Sequence, residues 1–194
     1  MKKIIILAFV LLSIVVKAQE VQKVSVEKNI NSIQLGLFSL SFRNETKLDR
    51  KIALRSEIGF GTGHSTIEYS DGHKETSFLI VPFVNVEPRW YYGLDRRSRL
   101  NRNTKNNSSN FVSLLTSFVS GRTALVNTKG FEAAPYILIV PEFGIRRTSP
   151  SGHFFSEYSA GYGYQHNFFD KSLCYRYGKD QSILDFQFKF GYIF

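Results

Sequence analysis

The sequence predicts an all-β fold, namely an eight-stranded antiparallel transmembrane β-barrel whose lumen is filled by side chains. Several segments alternate apolar and polar residues with a period of two, so each predicted strand has one apolar and one polar face. After the first twenty residues, no segment stays apolar over the roughly 18 residues that a spanning helix needs. A closed barrel is the other structure that pairs every backbone group in lipid, with apolar side chains outside and polar ones inside.

The segment from Ser182 to Phe194 shows the alternation most clearly. From Leu184 onward its even positions are all aromatic or aliphatic, whereas Asp185, Gln187 and Lys189 occupy odd positions. The apolar face is therefore expected to meet lipid and the polar face to line a narrow lumen. A soluble exported β-sandwich or a lipocalin-like binder also alternates, and it stays the main alternative fold.

The first residues have the pattern of a secretory signal peptide. Lys2 and Lys3 precede an apolar run from Ile4 to Val16, which is too short for a spanning helix of about 20 residues. We therefore predict a cleavable signal peptide at residues 1–19 and a single barrel domain at residues 20–194. The mature part carries 22 basic and 16 acidic residues, a net charge of +6. Anionic lipid headgroups explain this modest excess in an exported chain, so no nucleic-acid partner is expected.

The predicted strands can be placed in chain order from the same alternation. They cover residues 21–27, 33–43, 52–61, 77–92, 111–119, 136–147, 154–166 and 182–194. The faint first strand, Val21 to Glu27, is needed because bacterial barrels usually have an even number of strands with both termini in the periplasm. In the second strand the apolar positions change parity between Leu37 and Phe38, which predicts a β-bulge there. The long connection at residues 93–110 falls on the periplasmic side, where it could form a small cap.

Charged residues on the polar faces form the main candidate site. Eight strands enclose a space just wide enough for side chains, and charges removed from water must be paired. We therefore predict an ion-pair network that plugs the lumen, with a polar pathway or proton relay as the alternative. Its members are Arg55, Glu57, Glu87, Arg89, Glu142, Arg146, Glu157, Asp185 and Lys189.

Two further groups of residues are expected at the ends of the barrel. Aromatic residues near strand ends are typical of an interfacial girdle. This predicted girdle consists of Trp90, Tyr91, Tyr92, Tyr192 and Phe194. A basic loop follows the first three, and we interpret it as a solvated turn, with binding of phosphate groups or of a periplasmic partner as the alternative. Its basic residues are Arg96, Arg97, Arg99, Arg102 and Lys105.

Catalytic and metal sites are weaker hypotheses. A hydrolase could use His166 with Ser172 and Glu157, but nucleophilic catalysis needs a base that touches the hydroxyl and a third group that orients the base. Glu157 has the opposite strand parity to His166, so no enzyme is predicted. His64 and His73 share a loop with acidic residues, but their spacing matches no metal-ligand pattern. No cofactor or metal is expected.

These features together resemble the small outer-membrane β-barrel (porin-like) family of Gram-negative bacteria. The resemblance rests on the signal peptide, the alternating strands, the Trp90-Tyr91-Tyr92 cluster and the closing segment from Phe186 to Phe194. It implies an outer-membrane location, outer-membrane lipid as a partner, and recognition of the closing strand by the barrel-insertion machinery. The family includes adhesins, anchors, enzymes and narrow channels. We expect a non-enzymatic structural or surface-interaction role in which loops contact surface ligands; a narrow channel for small solutes and, after it, a lipid hydrolase are the alternatives.

Overall fold

The computed structural model describes residues 24–68, 71–128, 134–168 and 179–194, and they form a closed antiparallel β-barrel of eight strands. The strands are β1 (Asn29–Gly36), β2 (Ser39–Lys47), β3 (Ile52–Glu68), β4 (Lys74–Trp90), β5 (Asn110–Val119), β6 (Val126–Asn127), β7 (Tyr136–Thr148), β8 (Phe154–Asn167) and β9 (Asp180–Ile193). The two-residue β6 pairs with β4 beyond the end of β5, so it is not counted as a separate strand of the barrel wall. One short helix, α1 (Leu94–Arg99), and 3₁₀ turns at Lys105–Asn107 and Gly121–Thr123 complete the regular structure.

The strands form an up-and-down meander that one long-range pairing closes. Each long strand pairs with the next long strand along the chain, and β9 returns to pair with β1, where Ser32 lies opposite Ile193. The predicted fold class is therefore confirmed for the barrel. The predicted signal peptide lies outside the described residues.

The beginning of the barrel differs from the prediction. The segment that we interpreted as one strand with a bulge is a hairpin, in which Gly36 pairs with Ser39 across a two-residue turn at Leu37 and Phe38. A two-residue turn exchanges odd for even positions on the outward face, which is the parity change that the bulge was meant to explain. The predicted strand at residues 21–27 is also wrong for its described part, because residues 24–28 are not in a strand. The first strand of the barrel is β1.

The two faces of the wall have opposite character. Leu184 and Phe186 point outward and are 68% and 72% exposed, whereas Lys189 and Ile193 point inward and are buried. Outward apolar residues continue around the barrel on every long strand. Among the described residues, no helix is long and apolar enough to cross a membrane.

The two ends of the barrel are called the lower and the upper rim here. The lower rim has the connections at residues 48–51, 91–109 and 149–153, and β9 ends there. The β1–β2 hairpin starts at the lower rim and is shorter than its neighbours. Its last residue on β1, Gly36, lies opposite Lys189 of β9, whereas β8 pairs with β9 as far as Asp180. Within the described residues, the wall therefore has a notch above the hairpin, between the edges of β9 and β3.

Candidate functional site: the lumen

The lower half of the lumen is occupied by a buried cluster of charged side chains centred on Glu157. Its carboxylate accepts hydrogen bonds from Arg55 Nη1 at 2.8 Å and from Arg89 Nη2 at 2.6 Å. Arg43 Nη1 and Arg146 Nη1 lie 3.4 and 3.8 Å from Glu157 Oε2. Each of the four arginines is at most 1% exposed, so their charges are compensated by carboxylates in place of water.

The other carboxylates extend the cluster across the barrel. Glu87 accepts hydrogen bonds from Arg89 at 2.8 and 3.0 Å, and Glu57 pairs with Arg55 and, at 3.5 Å, with Lys189. On each strand these residues occupy the positions whose side chains point into the barrel. The register between neighbouring strands places them at the same height along the barrel axis. Arg55 lies opposite Glu87 on β4, and Glu157 lies opposite Lys189 on β9.

The structure places all nine residues of the predicted network inside the barrel, with eight buried and Asp185 half-buried. Sequence reasoning missed two buried members, Arg43 and Glu45 on β2. Arg146 Nη1 lies 3.1 Å from Glu45 Oε2. The prediction places Arg43 at the end of a strand and Glu45 in a turn because it lacks the hairpin. The available signal was the alternation of Ser41 and Arg43 with apolar neighbours, since Glu45 has the same parity.

Two aromatic rings form the floor of the cluster. The guanidinium of Arg89 lies 4.0 Å from the ring centre of Phe111, and those of Arg43 and Arg146 lie 4.5 and 4.4 Å from the ring centre of Phe155. The rings lie against glycines at close approach, Phe111 on Gly144 and Phe155 on Gly191, where a Cβ atom would collide with the ring. Cation–π attraction of this kind is worth about 2 kcal/mol when desolvated.

Below this floor, the predicted cap is present and closes the lower rim. Leu94 of α1 is fully buried in an apolar cluster with Val26, Ala53, Tyr91 and Phe111. Asn107, which has a positive φ of 61°, donates a 2.5 Å hydrogen bond to Glu45 and accepts one from the backbone of Glu27. Asparagine tolerates this left-handed backbone conformation better than most residues. The connection at residues 93–110 is thus tied to the charge cluster.

The upper half of the lumen is less densely filled. Gln187 Nε2 donates to Glu142 Oε1 at 3.1 Å and to Asp185 Oδ2 at 2.5 Å. Among the described residues, neither of these two carboxylates is in an ion pair. A cavity of about 380 Å³ lies above Lys189, and the Oδ1 atom of Asn85 on its wall is buried without a hydrogen-bond partner.

Four of the five residues of the predicted girdle lie on the outer surface of the lower half, and the fifth, Tyr91, faces inward. Trp90 and Tyr92 face outward with ring centres 5.8 Å apart, and Tyr192 and Phe194 are 45% and 63% exposed. Tyr91 does not belong to this girdle: it is fully buried, and its hydroxyl donates a 2.8 Å hydrogen bond to Glu45. The reason is strand parity, because Tyr91 lies two residues after the inward-facing Arg89.

The basic loop is mostly solvated. Arg96, Arg99, Arg102 and Lys105 are exposed, and Lys105 Nζ donates to the carbonyl of Pro150 at 3.3 Å. Arg97 is half-buried and donates two hydrogen bonds, at 2.8 and 3.0 Å, to the carbonyl of Asn103. The loop's acid, Asp95, pairs with Lys51 and Arg50.

The candidate catalytic and metal residues do not assemble into a site within the described residues. His166 Nδ1 lies 2.6 Å from Asp180, near the upper rim, whereas Glu157 is nine positions away along β8 and is held by arginines. Ser172 lies outside the described residues. Of His64 and His73, the latter lies 3.9 Å from Glu75, and no group of three or more metal-binding side chains occurs in the part of the chain that the structure describes.

Fold and lumen together define a small closed β-barrel with a charged, capped interior and an apolar exterior. Comparison of the chain with protein-family models, with curated proteins and with solved structures finds no match.

Proposed function

We propose that this chain is an integral outer-membrane β-barrel with a non-enzymatic role as a structural or surface-interaction protein. The observation that carries the proposal is the inverted distribution of polarity, with buried arginines and glutamates inside and aromatic and aliphatic side chains outside. In water, such a surface would expose large apolar patches on every long strand, which monomeric soluble proteins avoid. In a lipid bilayer the same surface is matched to its surroundings.

The lower lumen supports a plugged barrel over a channel. The four arginines around Glu157 are buried inside the lower lumen, and the ring of Phe111 and the buried Leu94 lie beneath them. An ion crossing the barrel would have to break paired buried charges. Contacts with other molecules would then be made at the rims, where the connections between strands are.

The lipid-hydrolase alternative draws little support from the lumen. Glu157, the acid considered for it, is occupied by Arg55 and Arg89 and lies far below His166 along β8. We therefore propose a non-enzymatic role.

Fractionation of cells and reconstitution test the proposal. We expect the protein in outer-membrane fractions, with a different gel mobility before and after boiling. In planar bilayers we expect no steady ion current at neutral pH. Recovery in the soluble periplasm would contradict the membrane location, and open-pore currents would contradict the plug and favour the narrow channel.

A further inference from the structure

The notch above the β1–β2 hairpin joins the inside of the barrel to its outer surface. The cavity in the upper lumen and a second cavity of about 410 Å³ on the outer face of β7, β8 and β9 share four lining residues. These residues are Leu37, Phe186, Gln187 and Phe188. Both cavities therefore border the same stretch of the uncovered edge of β9, beside the tip of the hairpin.

The mouth of the notch is apolar. Leu37 and Phe38 at the hairpin tip are 66% and 73% exposed, which makes them among the most exposed large apolar side chains of the barrel, together with Phe186. Apolar side chains continue inside, where Phe83 and Leu138 line the upper cavity, while Glu57, Asn85 and Lys189 form a polar part of its wall. This continuity contrasts with the lower lumen, where nearly every inward position is charged, aromatic or small.

The edge of β9 supplies the second kind of chemistry. From Asp180 to Phe188, β9 pairs with β8 on one side and has no strand on the other among the described residues. Nine residues of a strand span about 30 Å. Lipid tails cannot hydrogen-bond the backbone groups of such an edge, so polar groups have to satisfy them. The notch thus combines an apolar mouth with unpaired backbone donors and acceptors.

We propose that the notch is a binding site for a bilayer lipid, whose acyl chain passes beside Phe38 and Phe186 into the upper cavity while its polar head lies along the free edge of β9. An amphiphile can pack its tail against the apolar mouth and hydrogen-bond the backbone of the edge with its head. Water could satisfy only the edge, and a hydrocarbon could pack only against the mouth. This inference rests on the proposed membrane location. It names the ligand class of a site that opens through the wall in the plane of the membrane.

Quenching of tryptophan fluorescence by lipids with brominated acyl chains tests the site. The chain has a single tryptophan, so Trp90→Phe gives a silent background. In that background, Phe83→Trp reports on the upper cavity, and Phe186→Trp reports on the outer surface. Phe155→Trp reports on the closed lower lumen. Brominated phosphatidylcholines, with bromines at several chain depths, are the probe, and iodide is the aqueous quencher.

We expect Phe83→Trp to lose fluorescence in brominated vesicles nearly as strongly as Phe186→Trp, and Phe155→Trp to lose little at any bromine depth. Adding Phe38→Glu at the mouth should weaken the quenching of Phe83→Trp and leave that of Phe186→Trp unchanged. If Phe83→Trp fails to show the folded gel mobility, Leu138→Trp serves as the second reporter of the same cavity.

The outcomes separate this site from the proposed function. Quenching of Phe186→Trp by bromolipid, with quenching of Phe83→Trp by iodide alone, would show a water-filled cavity and overturn the lipid site only. Equal bromolipid quenching of Phe83→Trp and Phe155→Trp would indicate quenching through the wall and would also overturn it. Absence of bromolipid quenching at Phe186→Trp would refute the membrane location itself.

Discussion

The lower and upper halves of this barrel have the same strands and the same alternation, yet they are stabilised differently. In the lower half, Glu157 is surrounded by four buried arginines, and a cap closes the rim. In the upper half, Glu142 and Asp185 share one amide donor, Asn85 has a buried oxygen without a partner, and β9 has a free edge. Buried atoms without a hydrogen-bond partner occur in both halves, since Nε and Nη2 of Arg43 and Arg146 also have none. The halves differ in that the lower one is closed by paired charges and a cap, whereas the upper one retains a cavity and carboxylates without an ion pair among the described residues.

The largest change in the free energy of unfolding is expected when one Glu→Gln substitution is made in each half and the two variants are compared. Glu157→Gln removes the carboxylate that faces Arg55 and Arg89 and leaves buried positive charge uncompensated, which typically costs 3–5 kcal/mol, or about 4 kcal/mol here. Glu142→Gln is the matched control, because Glu142 is equally buried but has no ion pair among the described residues. Urea unfolding in detergent or vesicles measures both, and similar losses would show that the halves do not differ.

The second prediction concerns the outer surface that both halves share. Phe143 is 51% exposed on β7, so Phe143→Arg puts a charge into the apolar band and should destabilise the barrel in vesicles by about 2–4 kcal/mol. Leu48→Arg, at the exposed lower-rim turn, is the control and should cost about 0–1 kcal/mol. Equal folding yields for the two variants in lipid vesicles would argue against a membrane-embedded band.

A smaller effect of opposite sign is expected in the upper lumen. Asn85→Leu removes from the cavity wall an amide whose buried oxygen has no hydrogen-bond partner, and replaces it with an apolar group of similar size. Since an unsatisfied buried polar group costs about 1–3 kcal/mol, the variant should be as stable as the parent or more stable by about 1 kcal/mol. The same change in the lower half, Gln34→Leu, removes the donor of a 2.8 Å hydrogen bond to Glu57 and should destabilise the barrel. Chemical unfolding measures the stability of both variants. An equal loss of unfolding free energy in Asn85→Leu and Gln34→Leu would contradict this contrast.

The smallest effect concerns the attachment of the cap. The hydrogen bond from Lys51 lowers the pKa of Asp95 below its ordinary value; burial opposes this lowering, and Arg50 adds to it. Because the folded pKa is the lower one, this contribution to stability is complete above the unfolded pKa of about 3.9 and is lost as the pH falls through the folded pKa. Asp95→Asn should therefore cost at most about 1 kcal/mol at pH 7 and nothing at a pH below both pKa values.

The control for the cap is Asp49→Asn, on an exposed turn at the same rim. It should change the unfolding free energy by less than Asp95→Asn at pH 7. An equal loss for both variants would assign the effect to net charge and not to the contacts with Lys51 and Arg50.

Much of the barrel could be predicted because the two-residue alternation of a strand can be read from a few neighbouring residues. It gave the inward face of each strand, and with it Arg55, Glu87 and Glu157. The same rule, applied two residues beyond Arg89, would have put Tyr91 inside; the adjacent aromatic residues suggested a girdle instead. Arg43 and Glu45 were missed because a two-residue turn and a bulge produce the same change of parity in the sequence.

The notch could not be predicted, because it depends on where strands stop relative to their neighbours. The height of the β1–β2 hairpin follows from its register with β9, in which Gly36 meets Lys189. β1 and β9 come from opposite ends of the described chain. Their register therefore cannot be predicted from any short sequence pattern. The same holds for the partners within the charge cluster, since alternation places Glu157 inside but does not select its arginines.

The pairing of β1 with β9 has a kinetic consequence. It joins five residue pairs, from Ser32–Ile193 to Gly36–Lys189, whereas β8 and β9 share thirteen. All other ladders connect segments close in sequence, so they can form early and locally, while this one needs the whole sheet to curl before its ends meet. Barrel closure should thus be the last and slowest step of assembly. Amide protons of this ladder should exchange with deuterated solvent before those between β8 and β9.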